Sequence, residues 1–229
     1  MVEKSNRKEN WAALPLVAPF VLIYLSLFIY PSLQMLATSF TDSALTKTGV
    51  WVGFDNYVKL FRDRYFGAAL ANTLYFVTLT VVPSTLIGLA LAMIVNRLTG
   101  IFQIFALSIF FLPYVLPVST VTAIANMLTN TTNGPLGGLA QAANGTVIPV
   151  WSSAAWFMPS VAVLTIWWTV GFSVLIYIAG LRTIPRDIYE AGQLDGASSL
   201  AEFWFLTWPL MKPITGLVLV IQLIFQIRV

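Results

Sequence analysis

Residues 189–213 read YEAGQLDGASSLAEFWFLTWPLMKP, a polar island between two long apolar runs. It carries three acidic residues (Glu190, Asp195 and Glu202), two glycines (Gly192 and Gly196), and prolines at 209 and 213 that bracket Lys212. Pro185, just upstream, suits the first turn of a helix, where its missing N–H costs nothing. From Arg186 to Leu194 the residues favour a helix, with Ile188, Ala191 and Leu194 spaced along one side. Asp195-Gly196 breaks that helix, because glycine permits φ > 0 and aspartate favours local turns. A second helix restarts at Ser199, where Glu202 three residues later predicts a capping box, and it runs through the apolar FWFLTW to Pro209. The pattern is a short helix, a sharp turn and a second helix leading into the next apolar run. Composition alone reads this as an interfacial helical hairpin.

The rest of the chain says what that hairpin is attached to. Of 229 residues, 58% are hydrophobic and only 9% are charged, and the mean hydropathy is +0.83. A soluble domain of this length needs far more charge to cover its surface. The reading is an all-α integral membrane protein. There is no Cys and no His, which excludes a disulfide framework, thiolate or imidazole metal sites, and any Cys/His or Ser/His/Asp nucleophile. No G-x-x-x-x-G-K-[ST] occurs, so the chain has no P-loop to hold ATP phosphates. A net charge of +3 reads as loop anchoring and not as nucleic-acid binding.

Five runs reach the ~20 apolar residues that a membrane-crossing helix requires: 14–37, 68–95, 102–128, 157–181 and 208–227. The first is longer than the ~7–15-residue core of a signal peptide, although Lys4, Arg7 and Lys8 precede it. A cytoplasmic N-terminus places Lys4, Arg7, Lys8, Arg97, Arg182, Arg186 and Lys212 inside, and Lys47, Lys59, Arg62, Arg64 and Arg228 outside. That bias satisfies the positive-inside rule, and the charge-free loop at 129–156 suits the outer face. The island then faces the cytoplasm.

At this point the island becomes recognisable. Glu190-Ala191-Gly192, then Asp195-Gly196-Ala197, Phe203 and Pro209 resemble the cytoplasmic loop of ABC importer permeases, whose pattern begins Glu-Ala-Ala and continues to a Gly. Gly192 in place of the second alanine is the one departure, and weakens the helix by about 1 kcal/mol. The flanking IYIAGLRTIPRDIYEAGQLDGA, together with VGFDNYVKLF at 52–61, ANTLYF at 71–76 and PFVLIYLSLFIYPSLQMLATSFTD at 19–42, is similar to the carbohydrate-importer subfamily of maltose, lactose and glycerol-phosphate systems. The resemblance implies a permease domain over 1–229 with a cytoplasmic coupling loop at 183–206. It implies that this loop docks on a separate ATPase subunit, which binds the ATP and Mg. It also implies a second homologous permease, an extracellular solute-binding protein and a sugar-like substrate. The family continues past the fifth span with a final helix, so the chain is expected to lack that helix.

The solute path is written less plainly. The five apolar runs contain no Asp or Glu, whereas ion-coupled transporters need intramembrane ionisable groups. This favours a neutral solute and an external energy source; a stand-alone secondary transporter or channel for a neutral solute is the alternative. Gln222 and Gln226 lie four apart on one helix face beside Phe225, a face for solute or for interhelical hydrogen bonds. Resemblance to the maltose-type permease implies sugar contacts at Tyr114, Val118, Trp167, Thr169, Phe172, Gln222, Phe225 and Gln226. An aromatic wall with amides suits a carbohydrate, rings covering C–H faces and amides taking hydroxyls.

Overall fold

The computed structural model describes residues 15–43, 49–130, 134–135, 151 and 153–228. Lys4, Arg7, Lys8, Lys47 and most of the 129–156 loop lie outside the described residues. The described residues form helices and turns, with one isolated antiparallel bridge between Thr41 and Trp51. The chain divides into two compact units, at residues 1–70 and 71–229.

In the first unit, α1 (Pro15–Thr38) is apolar enough to cross a membrane. Its middle widens into a π-helical stretch, Leu25–Ile29, closed by Tyr30 N–H donating to the Leu25 carbonyl. The widening immediately precedes Pro31, whose ring and missing N–H cannot continue an α ladder. After α1 the chain turns back on itself. Asn56 Nδ2 donates to the Ser39 and Thr41 carbonyls, both at 2.9 Å, and Phe40 stacks on Trp51 at 5.4 Å. This knot delivers the short helix α2 (Asp55–Arg62), where Asp55 pairs with Lys59 at 2.9 Å and raises the lysine pKa through that hydrogen bond.

The second unit is built around α6 (Ala154–Leu181). Before it come α3 (Arg64–Asn96), which begins in the first unit, α4 (Gly100–Val115) and α5 (Val118–Thr129). After it come α7 (Arg186–Leu194) and α8 (Ser199–Ile227). In a bilayer the hydrophobic effect does not sort one apolar helix from another, so small residues that allow close approach decide the packing. On α3 these are Thr80, Ser84, Gly88 and Ala92, one every fourth residue, all buried. A Cβ on Gly88 would stand 2.7 Å from that of Ser173 on α6. On its other side α6 carries Gly171, where a Cβ would stand 2.0 Å from the Phe110 carbonyl oxygen of α4. Leu89, Ala92 and Val95 of α3, Val174, Tyr177 and Ile178 of α6, and Met211 and Val218 of α8 close the core.

Among the described residues, four single helices meet the length and hydropathy of a span: α1, α3, α6 and α8. The third expected span, 102–128, is not one helix. It breaks into α4 and α5, which meet at 101°. Leu116 precedes a proline and is held extended (ψ 138°), as the pyrrolidine ring requires. Pro117 itself is extended at φ −60°, ψ 146°. Two successive extended residues turn the chain, and the Leu116 carbonyl is taken by Trp168 Nε1 of α6 at 3.1 Å. The fifth span differs the other way. Helix α8 starts at Ser199 and runs unbroken through Pro209, widened into a π-helical stretch at Glu202–Thr207 just before that proline. The expected capping box is also corrected. Ser198, not Ser199, is the N-cap, accepting from Ala201 N–H at 3.3 Å, so Glu202 stands one position too far along to complete the box.

Candidate functional site

Two regions collect the residues singled out in the sequence. The first lies between α4, α6 and α8. Two of these helices contribute a stripe at three- and four-residue spacing, which in a helix is one face: Thr165, Trp168, Thr169 and Phe172 from α6, and Gln222, Phe225 and Gln226 from α8; α4 adds Tyr114. Together they line a cavity of about 300 Å³. None of these lining residues is Asp, Glu, Lys or Arg. Tyr114 stacks on Phe172 at 5.1 Å, and Phe225 meets Phe172 edge-on at 6.2 Å. The aromatic residues form one wall, and the amides and threonine hydroxyls supply the polar positions.

The two glutamines play different parts. Gln222 Nε2 donates to Ser84 Oγ of α3 at 3.1 Å and to Ser173 Oγ of α6 at 2.7 Å. It therefore ties three helices together while lining the cavity. Gln226 Nε2 reaches Gln222 Oε1 at 3.5 Å, the outer limit of a hydrogen bond. Its own Oε1 is buried without a protein partner among the described residues. A buried amide oxygen left unpaired costs about 1–3 kcal/mol, and this one is closed off from the cavity by the atoms around it.

Of the eight positions expected along the solute path, the structure brings Tyr114, Thr169, Phe172, Gln222, Phe225 and Gln226 to this cavity. Val118 and Trp167 do not line it. Val118 lies beyond the α4–α5 break and is exposed, and Trp167 is 46% exposed on another face of α6. Thr165 and Trp168 line it instead. Their signal was present in the sequence, since 165, 168, 169 and 172 share a helical face that 167 does not.

The second region is the former island. Helix α7 ends in a Schellman turn: Ala197 N–H donates to the Gly192 carbonyl at 2.9 Å and Gly196 N–H to that of Gln193 at 3.0 Å. Gly196 takes φ +77°, the left-handed conformation this turn demands. Glu190, Ala191, Asp195 and Gly196 are exposed, with Gly192 and Ala197 partly covered. Tyr189 OH and Thr207 Oγ1 lie 3.1 Å apart, joining α7 to the π-helical stretch of α8. Phe203 packs between Trp204 and Trp208, with ring centroids at 5.1 and 6.4 Å. Pro209 sits inside α8 on its exposed side. Gly192 faces Leu206, whose Cδ1 would stand 2.8 Å from an added Cβ.

Both regions fall inside residues 84–227, the part of the chain that matches the family described as binding-protein-dependent transport system inner membrane component. The chain belongs to this family. It is thus a multi-pass inner-membrane transport subunit and not an enzyme. Among its relatives is the sulfoquinovosyl glycerol transport system permease protein SmoG of Agrobacterium fabrum, 31% identical over 95% of this chain and 70% of SmoG. The sn-glycerol-3-phosphate transport system permease protein UgpA of Pectobacterium atrosepticum is 29% identical over 95% of this chain and 74% of UgpA. The fold of the permease is that of a chain in a bacterial ABC transporter involved in import of the acidic polysaccharide alginate. The TM-score is 0.85 at 23% identity, over all of this chain and 78% of that one.

Proposed function

We propose that this permease conducts a sugar or a related polyol through the cavity between α4, α6 and α8, driven by an ATPase subunit that docks on α7 and its turn. The cavity carries the reading: stacked aromatic side chains beside amide and hydroxyl groups, with no carboxylate or ammonium in the lining. Rings of that kind cover the C–H faces of a sugar, and the amide and threonine groups of the lining meet its hydroxyls. SmoG and UgpA are named for sulfoquinovosyl glycerol and sn-glycerol-3-phosphate, both hydroxylated and both carrying an acidic group, which supports the hydroxylated character of the solute and not its lack of charge.

The coupling segment, 183–206, presents a rigid short helix and a tight turn. Glu190 offers a carboxylate to basic groups of the ATPase, and Gly196 lets the partner's backbone come close. Tyr189 and Thr207 transmit a push on α7 directly into α8, the helix that carries both cavity glutamines. In this scheme ATP and Mg are held by the ATPase. The N-terminus and α7 are cytoplasmic, a second homologous permease completes the pathway, and an extracellular binding protein delivers the solute. Reconstituted with those partners, the permease is expected to import neutral saccharides only when ATP is supplied. Uptake sustained by a proton or sodium gradient without ATP would overturn the proposal.

A further inference from the structure

At the membrane face where α7 lies, the end of α3 and the start of α8 enclose two adjoining spaces. The larger is an apolar groove of about 890 Å³. From α3 it takes Leu86, Leu89, Ala90, Met93 and Ile94, one helical face that ends at Arg97. From α8 it takes Leu200, Phe203, Trp204 and Trp208. Leu86, Ile94, Leu200 and Trp204 are exposed, so among the described residues the groove is open on its outer side. The smaller space is a cleft of about 190 Å³ where Asn96, Tyr189, Glu202 and Thr207 meet. Met93, Arg97, Ser199 and Phe203 line both spaces, so the cleft opens directly into the groove. Arg97 and Glu202 share the cleft, yet among the described residues neither forms an ion pair, with the other or with a third group.

We infer that cleft and groove together form a phospholipid site selective for phosphatidylethanolamine, with the phosphate at Arg97, the primary ammonium at Glu202 and an acyl chain along α3. The dimensions fit one leaflet. From Leu86 to Arg97 the helix rises about 16 Å, and half of the ~30 Å hydrocarbon core is about 15 Å. The groove therefore runs from the headgroup level to the middle of the bilayer, as a single acyl chain does. Trp204, near the start of α8, is the residue type that gathers at the headgroup level. The choice of headgroup follows from charge. An arginine at this depth reaches for the phosphate of any phospholipid, but Glu202 in the same cleft repels a headgroup that is anionic overall. It complements an ammonium, and only a primary one carries N–H groups to donate, whereas a choline headgroup has none. One unpaired cation beside one unpaired carboxylate thus matches a zwitterion that ends in a primary amine. The bound headgroup also sits against the hydroxyls of Tyr189 and Thr207, which join α7 to α8 at 3.1 Å.

The test reconstitutes the permease, purified with the subunits that accompany it, in vesicles of equal parts phosphatidylethanolamine and phosphatidylcholine. Each preparation carries a trace of one of the two lipids with a photoreactive diazirine in its acyl chain, and cross-linked peptides are quantified by mass spectrometry. The exposed helix α1, none of whose span is buried in this chain, reports labelling by bulk lipid. The ethanolamine probe is expected to label 86–97 and 199–208 about two- to five-fold more than the choline probe, the range for one solvated ionic contact, and both probes to label α1 alike. Arg97→Gln is expected to lower labelling of the groove by the ethanolamine probe. Glu202→Gln is expected to erase its advantage over the choline probe while α1 labelling holds. Equal labelling of the groove by the two probes in wild type overturns the site, as does a preference that survives in both variants. A groove left unlabelled while α1 is labelled overturns it too, by showing that a protein segment and not a lipid covers this face. Should either variant fail to assemble, the comparison of the two probes on wild type decides.

Discussion

Gln222 and Gln226 are the same residue type one helical turn apart, and their surroundings give them opposite consequences. Gln222 spans from α8 to Ser84 and Ser173, both fully buried, so Gln222→Ala removes two interhelical hydrogen bonds. The expected loss is about 1–3 kcal/mol of stability, read as a lower unfolding temperature of the purified permease, with transport falling alongside. Gln226→Leu leaves those bonds in place, gives up the long contact to Gln222 Oε1 and deletes a buried oxygen that has no partner among the described residues. It is expected to reduce solute affinity about two- to ten-fold at an unchanged unfolding temperature. Equal thermal losses in the two variants would show that both amides are structural. A third residue tests the packing directly. Gly171→Ala drives a Cβ toward the Phe110 carbonyl, and overpacking of this kind costs about 1–3 kcal/mol, measurable as reduced thermal stability.

Among the elements, the α4–α5 break and the α7 turn each depend on one local device. The break leaves the Leu116 carbonyl without a helical donor, and Trp168 Nε1 supplies one. Trp168→Phe keeps the ring and removes the donor. It is expected to cost about 0.5–1.5 kcal/mol, seen as a lower unfolding temperature, and no change in that temperature would mean the break holds without its cap. At the turn, Gly196 is left-handed, yet an added Cβ meets nothing within 4 Å. Gly196→Trp therefore carries a backbone cost of about 1–2 kcal/mol on an exposed turn whose Cβ position is open, so it should reach the membrane in near-normal amounts. In the proposed docking of this turn on an ATPase, the same indole would be excluded. Uptake and ATPase pull-down are both expected to be lost, while Glu190→Ala, which removes one polar contact, reduces uptake less. Normal pull-down and normal uptake in Gly196→Trp would make the turn a connector only.

For the whole molecule, α6 fixes the topology. Its 28 residues span about 42 Å, close to the ~40–45 Å of a bilayer with its headgroups. Its first turn and α7 must therefore lie on opposite sides of the membrane. The chain contains no cysteine, so single introduced thiols report position cleanly. Glu190→Cys is expected to react with an impermeant maleimide in inside-out vesicles and Ala155→Cys in right-side-out vesicles. The reverse pattern would remove α7 from any cytoplasmic partner.

Hydropathy and turn chemistry alone determined that the chain is an all-α membrane protein, where its apolar runs lie, and that a helix ends at Asp195-Gly196. Hydropathy is a sum along the chain and tolerates errors of register, while a left-handed turn is a property of two or three neighbouring residues. Only the tertiary structure decided the rest. A run of apolar residues does not reveal that 102–128 bends by 101°, because the bend rests on Pro117 and on a donor to Leu116 from Trp168, 52 residues further along. Nor does it separate Trp167 from Trp168, which differ by about 100° around α6. The division between Gln222 and Gln226 is more distant still, since Ser84 lies 138 residues from Gln222. Which amide is satisfied, and which keeps an unpaired oxygen, depends on the sector that each helix turns toward its neighbours. In a bilayer that sector is set by small residues allowing close contact, and not by the apolar content that marks the spans.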